Sequence, residues 1–238
     1  MKNYFLTIDT ETTQDGLVAD FAATITDKKG VIVNQCAVLV AGIYTDQQNH
    51  PLFHQHGDAG DLWSLAGLPK RYDRYERMVQ SGARMIASVG AIQRWLDKAL
   101  AQYNPILTAY NLSFDLGKCQ NTGIDLTGFS RRFCMWSAAY TVFAHTKQYR
   151  NFVLATHAFN APTQFGNMTF KTNAETMARF LLGAELPNEP HTALEDIVDY
   201  ELPILTAIVK RKSVKWLLSE TQPYNWRECQ LRDWFTAS

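Results

Sequence analysis

The chain has 238 residues, of which 46% are hydrophobic and 19% are charged, and this composition excludes a disordered or low-complexity protein. Its 23 basic and 23 acidic residues give a formal net charge of zero. Without an overall positive field, any binding of nucleic acid or anionic lipid must be local. The length predicts one large domain, or one domain with a small appendage.

The sequence contains no run of about 20 apolar residues, the length that a membrane-spanning helix needs. Residues 1–4 lead directly into a strand pattern that ends in acids, whereas a secretory signal has an apolar core followed by small residues. We therefore expect a cytoplasmic protein with no membrane partner. The four cysteines lack paired spacing, which favours reduced thiols over a zinc site: Cys36, Cys119, Cys134 and Cys229.

The first half of the chain predicts three strands joined by hairpins, over residues 4–8, 19–26 and 31–40, because these runs are apolar and rich in β-branched residues. Residues 44–80 show no clear periodicity and are interpreted as an excursion, of the kind that carries function or short helices. Apolar residues then recur every three or four positions from Ile86 to Tyr103, which predicts an amphipathic helix.

Pro105 ends that helix, and a short strand over 106–110 precedes a second helix that begins at 111–113. Thr172 and Asn173 are expected to cap a helix that ends at Gly183, and another helix follows Pro190 and runs through residue 208. A hairpin meander followed by strands that alternate with helices predicts an α/β fold with a mixed central sheet flanked by helices.

We expect a single domain over residues 1–212 that includes the 44–80 excursion. Residues 213–238 are expected to form a tryptophan-containing C-terminal extension packed on the same domain. Its three tryptophans either belong to the core, which we favour, or bind a partner: Trp216, Trp226 and Trp234.

Two acidic residues end the first predicted strand. Asp9 and Glu11 are two positions apart, so their side chains share one face of the strand. Two parallel carboxylates repel each other unless a cation such as Mg²⁺ lies between them. The same spacing at Asp199 and Glu201 falls in a helical pattern, where it predicts an ordinary solvated face.

Two further segments place acids at helix starts. Asp115 follows the strand that ends at Tyr110 and lies in the first turn of the next helix, where it is either a third ligand or an acid that interacts with the helix dipole. His191 precedes a helix whose first turn contains Asp196. This spacing suits a fixed metal ligand beside a general base on a loop, although a helix-capping histidine is the alternative.

In this order, residues 5–13, 109–115 and 191–196 resemble the three exonuclease motifs of the DEDDh branch of the 3′→5′ exonuclease superfamily. The resemblance extends over roughly residues 4–208 and implies a ribonuclease H-like fold. It also implies that two Mg²⁺ ions, which Mn²⁺ can replace, are bound by four carboxylates, with His191 as the base: Asp9, Glu11, Asp115 and Asp196.

Phosphodiester hydrolysis needs an activated water, neutralised phosphoryl oxygens and a stabilised leaving oxygen, which two cations about 3.5–4 Å apart can supply. We therefore expect a 3′→5′ exonuclease that releases nucleoside 5′-monophosphates from single-stranded 3′ ends, DNA being favoured over RNA. A polymerase or another replication or repair protein is a possible partner. The alternatives are an RNA-trimming enzyme of the same superfamily and a non-catalytic nucleic-acid-binding module.

Residues next to the motifs are expected to contact the substrate: Thr10, Thr12, Leu17, Asn111 and Phe114. Phe114 and Leu17 could flank the terminal base or simply pack in the core. The enzymes that the first motif resembles usually have glycine directly after it, whereas here Gln14 and Asp15 precede Gly16. We therefore expect a longer loop at the terminal nucleotide.

The 44–80 excursion contains two groups of residues with a possible role. His50, His54 and His56 could bind zinc, although no regular element frames them. Four basic residues either touch substrate phosphates or form a solvated surface, namely Lys70, Arg71, Arg74 and Arg77.

Overall fold

A mixed sheet lies at the centre of the protein. The computed structural model describes residues 3–55, 63–162 and 168–230, and within them the sheet has six strands in the order β4-β3-β2-β1-β5-β6. The strands are β1 Phe5–Thr12, β2 Val18–Thr26, β3 Ile32–Val40, β4 Met85–Ala87, β5 Ile106–Ala109 and β6 Arg132–Cys134.

The sheet contains both antiparallel and parallel pairs of strands. The hairpin partners β1, β2 and β3 are antiparallel, whereas β5 and β6 join β1 in parallel and β4 joins β3 in parallel. Parallel neighbours need a crossover connection, and the helix Leu112–Thr122 supplies one between β5 and β6. The predicted architecture, an α/β fold whose mixed central sheet of antiparallel hairpin strands and parallel strands is flanked by helices, is confirmed.

Helices cover both faces of the sheet. They are α1 Leu68–Gln80, α2 Val89–Tyr103, α3 Leu112–Thr122, α4 Met135–Ala139, α5 Lys147–Thr156, α6 Ala174–Leu182, α7 Ala193–Asp196, α8 Leu202–Arg211 and α9 Val214–Ser219. A π-helical turn over Ile197–Glu201 joins α7 to α8, and another, Tyr140–Ala144, follows α4.

Alternate side chains of β1 belong to two different hydrophobic clusters, one on each face of the sheet. Phe5 packs with residues of α4, α6 and α8, while Leu6 and Ile8 pack with residues of α2 and α3. Since side chains two apart share a face, Asp9 and Glu11 lie on the same side as Phe5, the side that α7 and α8 cover. The strand therefore presents both carboxylates toward the helix that contains the last predicted motif.

Several predicted elements are confirmed. The side chain of Asn173 accepts a hydrogen bond from the backbone N–H of Thr176 and so caps α6. The helix that follows Pro190 forms as α7, the π-helical turn and α8. The helix predicted from Ile86 instead begins at Val89, because Ile86 lies in the edge strand β4 and Ser88 caps the helix.

The C-terminal residues pack against the hydrophobic cluster that contains Phe5. Leu217 is fully buried, and Trp216 is partly buried against the same cluster. The side chain of Trp226 and all of Trp234 lie outside the described residues. Among the described helices, none combines the length and the apolar character that crossing a bilayer requires.

Candidate metal centre and active site

The predicted acidic ligands come from three elements, namely the strand β1 and the helices α3 and α7. Asp9 and Glu11 lie in β1, where Asp9 is opposite Ala22 and Glu11 is opposite Asp20 of β2. Asp115 lies in the first turn of α3, on the other face of the sheet, and is 4% exposed. Thr10 reaches it because alternate residues of β1 point to that face, and the Thr10 hydroxyl donates to Asp115 Oδ1 over 2.8 Å.

Asp196 is brought to the same place by contacts at the start of α7. The backbone N–H of Ala193 donates to Asp20 Oδ2 over 3.0 Å. Arg84 forms ion pairs with both Asp20 and Glu195, at 3.3 and 2.5 Å. The carboxylate of Asp20 therefore holds the first turn of the helix that contains Asp196 beside β1.

Three of the predicted site residues are grouped closely, and the carboxylates influence one another electrostatically. Ligand atoms of Glu11, His191 and Asp196 all lie within 4.8 Å of one another. Burial, and then the charge of Asp9, raises the pKa of both Asp115 and Asp196 far above the ordinary value. Burial also raises the pKa of Asp9 to about 7, and the charge of Asp20 adds to the effect. A metal-free protein therefore holds protons at this site near neutral pH.

The sequence interpretation missed two further acids here. Burial, followed by the charge of Asp9, raises the pKa of Glu189 to about 8. Glu201 is 3% exposed, and its Oε1 accepts a hydrogen bond from the backbone N–H of Tyr110. The predicted solvated face is therefore wrong for Glu201, because the π-helical turn between α7 and α8 directs it inward, while Asp199 is exposed.

The donor set fits divalent cations. Carboxylate oxygens are the ligands that Mg²⁺ prefers. Within the described part of the chain, Oδ1 of Asp196 and Oε2 of Glu201 have no hydrogen-bond partner although both are buried. A buried charged oxygen without a partner is costly unless a cation compensates it.

His191 lies on the loop that leads into α7, with a backbone φ of +56°. This left-handed conformation is strained for a residue other than glycine, and such strain concentrates at functional sites. Helix α1 holds the loop: Arg74 donates to the carbonyl of Pro190, and the Tyr75 hydroxyl donates to the carbonyl of His191 over 3.5 Å. The indole N–H of Trp63 donates to His191 Nε2 over 2.8 Å.

Arg71 joins α1 to the carboxylates. Its guanidinium donates to Glu11 Oε2 over 3.2 Å and to the carbonyl of Phe53 over 2.6 Å. Arg71 is 1% exposed, so the interpretation as part of a solvated surface is wrong, while the phosphate contact stays a prediction. Arg74 is partly buried and binds a backbone carbonyl, so it too does not belong to a solvated surface. Lys70 and Arg77 are exposed.

A cavity of about 430 Å³ opens beside these residues. Its lining includes Thr10, Thr12 and Phe114, which were predicted to contact substrate, while Leu17 and Asn111 are absent from the lining that the described residues provide. Phe114 is 44% exposed, and the ammonium of Lys118 lies 5.0 Å from the centroid of its ring. The lining contains these further residues: Asp9, Glu11, Phe53, Gln55, Trp63, Lys118, Glu189, His191 and Asp196.

The histidines of the excursion have other contacts. His50 Nδ1 pairs with Asp15 Oδ2 at 2.8 Å, and His54 Nδ1 lies 3.3 Å from the carbonyl oxygen of Leu52. His56 lies outside the described residues, so the zinc interpretation stays a prediction.

Comparisons of the sequence with known proteins identify no relative. No family model matches the chain, and no curated protein matches it. Among solved structures, exonuclease X in complex with 5′ overhanging duplex DNA is similar, with a TM-score of 0.40 and 15% identity, over 90% of this chain and 97% of that chain. A likeness of this size leaves function to be argued from the site itself.

Proposed function

We propose that this protein is a metal-dependent 3′→5′ exonuclease of the DEDDh type. It hydrolyses phosphodiester bonds at the 3′ end of single-stranded nucleic acid, DNA in preference to RNA, and releases nucleoside 5′-monophosphates. The observation that carries the proposal is a cavity lined by Asp9, Glu11, Asp196 and His191, together with an exposed aromatic residue and a lysine. Asp115 is absent from the lining that the described residues provide, but the charge of Asp9 acts on its carboxyl group.

The metal ligands in this proposal are Asp9, Glu11, Asp115 and Asp196. Bound Mg²⁺ would neutralise charge on the phosphoryl oxygens and favour ionisation of the attacking water. Arg71 occupies Oε2 of Glu11, and this contact fixes the carboxylate while its other oxygen can still bind a cation.

The remaining residues bind and orient the substrate. Lys118 provides a positive charge for a phosphate, and the exposed ring of Phe114 offers a face on which a terminal base can stack. Thr10 keeps Asp115 in place through its hydroxyl. His191 accepts the proton of the attacking water at a ring nitrogen that lies near the carboxylates.

The test is an assay with single-stranded DNA and RNA of the same sequence, labelled at the 5′ end, with Mg²⁺ and with EDTA. We expect a ladder of products that shorten one nucleotide at a time, free nucleoside 5′-monophosphates, and no products in EDTA. Faster shortening of RNA would favour the RNA-trimming alternative. Binding of either strand with no products in Mg²⁺ or Mn²⁺ would contradict the proposal and favour the non-catalytic module.

We expect His191→Asn to lower the turnover rate by about 10²–10⁴-fold, the range that general-base assistance provides, with little change in metal binding. Asparagine suits this position because it tolerates the left-handed backbone and cannot act as a base. The rate should also lose its acidic limb between pH 5.5 and 9.

The matched control is His157→Asn, because His157 also has a left-handed φ, +52°, and ends α5 outside the site. It should leave turnover unchanged. A His191→Asn protein that melts like the wild type and keeps its rate at every pH would exclude His191 as the base.

A further inference from the structure

Trp63 lies against His191 in the wall of the cavity. Its indole N–H donates to His191 Nε2 over 2.8 Å, and the two ring centroids are 4.5 Å apart. An indole nitrogen is only a donor, so the Nε2 atom must accept and cannot carry a proton while this bond exists. The contact therefore fixes which tautomer the neutral imidazole adopts, namely the one with hydrogen on Nδ1.

Trp63 is itself held from its other sides. The Arg71 guanidinium lies 4.8 Å from the centroid of the indole ring, and the Phe53 ring meets it edge-on at 5.5 Å. A cation on an aromatic face is attracted most strongly when water is excluded, and Arg71 is almost completely buried. Because Arg71 also binds Glu11, the position of the indole depends on the strand that contains Asp9 and Glu11.

We propose that Trp63 is a positioning residue that keeps His191 in the tautomer able to accept a proton at Nε2. This inference rests on the proposed function, in which His191 is the base. Before substrate enters, the indole N–H occupies the acceptor position on Nε2. When the attacking water enters, the indole N–H leaves Nε2 and the water donates its O–H there instead. The imidazole then has neither to rotate nor to change tautomer before it takes the proton.

The variant Trp63→Phe removes the N–H and retains an aromatic ring against Arg71 and His191. We expect kcat to fall by about 2- to 10-fold, the range that one hydrogen bond provides, because part of the enzyme then holds the other tautomer. We expect KM to change by less than about 2-fold, because a ring of similar character still lines the cavity. The matched control is Trp136→Phe, which also loses an indole hydrogen bond, to Thr172 Oγ1 at 2.9 Å, but lies outside the cavity lining.

The second measurement is the ¹⁵N NMR spectrum of the histidine side chains in the substrate-free protein, with His191→Asn used to assign the His191 signals. Wild type and Trp136→Phe should show His191 with hydrogen on Nδ1, and Trp63→Phe should show a mixture of both tautomers. An unchanged His191 spectrum in Trp63→Phe, or a raised kcat, would overturn the proposal. The spectrum does not depend on turnover, so a wild type without nuclease activity would refute the proposed function and leave the tautomer contact to be decided separately.

Discussion

Asp9→Asn should lower the rate of hydrolysis by about 10³-fold or more in saturating Mg²⁺, because it removes a proposed metal ligand whose charge acts on the other carboxylates of the site. The amide has nearly the shape of the carboxylate, so the fold should be kept. The measurement is single-turnover hydrolysis of a labelled single strand, with Asp97→Asn as the control. Asp97 is exposed on α2 and bonds to Gln93, so its replacement should leave the rate unchanged.

The stability of Asp9→Asn should move in the opposite direction. The pKa of Asp9 is raised to about 7 from an ordinary value of 3.8, so the folded protein binds more protons than the unfolded chain between these values. Stability of the metal-free wild type therefore falls as pH rises through 7, and the amide avoids this loss. In EDTA at pH 8, the variant should melt at the same or a higher temperature, and Mg²⁺ should raise its melting temperature less than that of the wild type. Turnover near the wild-type rate would refute Asp9 as a ligand.

The sequence predicts the parts of the site that depend on short-range patterns. Asp9 and Glu11 follow an apolar β-branched run, and Asp115 and Asp196 lie in the first turns of their helices, so the strand and helix patterns place them on these elements. Their convergence follows from the order of the strands, since β5 pairs beside β1 and the chain leaves both at the same edge. The placement of each acid on its strand or helix needs no knowledge of distant contacts, whereas the pairing of β5 with β1 is a long-range contact that the local pattern does not specify.

The excursion is different because tertiary packing determines its structure. Helix α1 buries Leu68, Arg71 and Tyr75 at helical spacing, but an arginine in the middle of the buried face hides the apolar period. Contacts with Glu11, with the carbonyl of Phe53 and with the ring of Trp63 explain why an arginine can be buried there. The sequence feature that indicates the start of this helix is Pro69, because proline is favoured in the first turn. Periodicity also assigned Ile86 to a helix. In the structure, Met85 and Ile86 are exposed in the edge strand β4.

A buried network of ion pairs lies next to the site, and we expect its loss to lower the stability of the protein strongly. Asp20 is completely buried, Arg84 is 2% exposed, and the Arg84 guanidinium binds both Asp20 and the partly exposed Glu195. Asp20 also accepts the N–H of Ala193, so the network joins β2 to the start of α7. Removing the arginine leaves Asp20 as a buried charge without its cation, which is more costly than removing an exposed pair.

We expect Arg84→Met to lower the free energy of unfolding by about 3–5 kcal/mol, because one partner of a buried ion pair is lost while the other stays charged. Urea titration followed by circular dichroism measures this change. The double variant Arg84→Met with Asp20→Asn should recover part of the loss, since no unpaired charge then remains. As a control, Glu175→Gln breaks the partly exposed pair with Arg179 and should cost about 0–1 kcal/mol. A double variant no more stable than Arg84→Met alone would show that lost packing, rather than the unpaired charge of Asp20, destabilises the protein. Because Asp20 holds α7, Arg84→Met molecules that remain folded should also bind Mg²⁺ more weakly at Asp196.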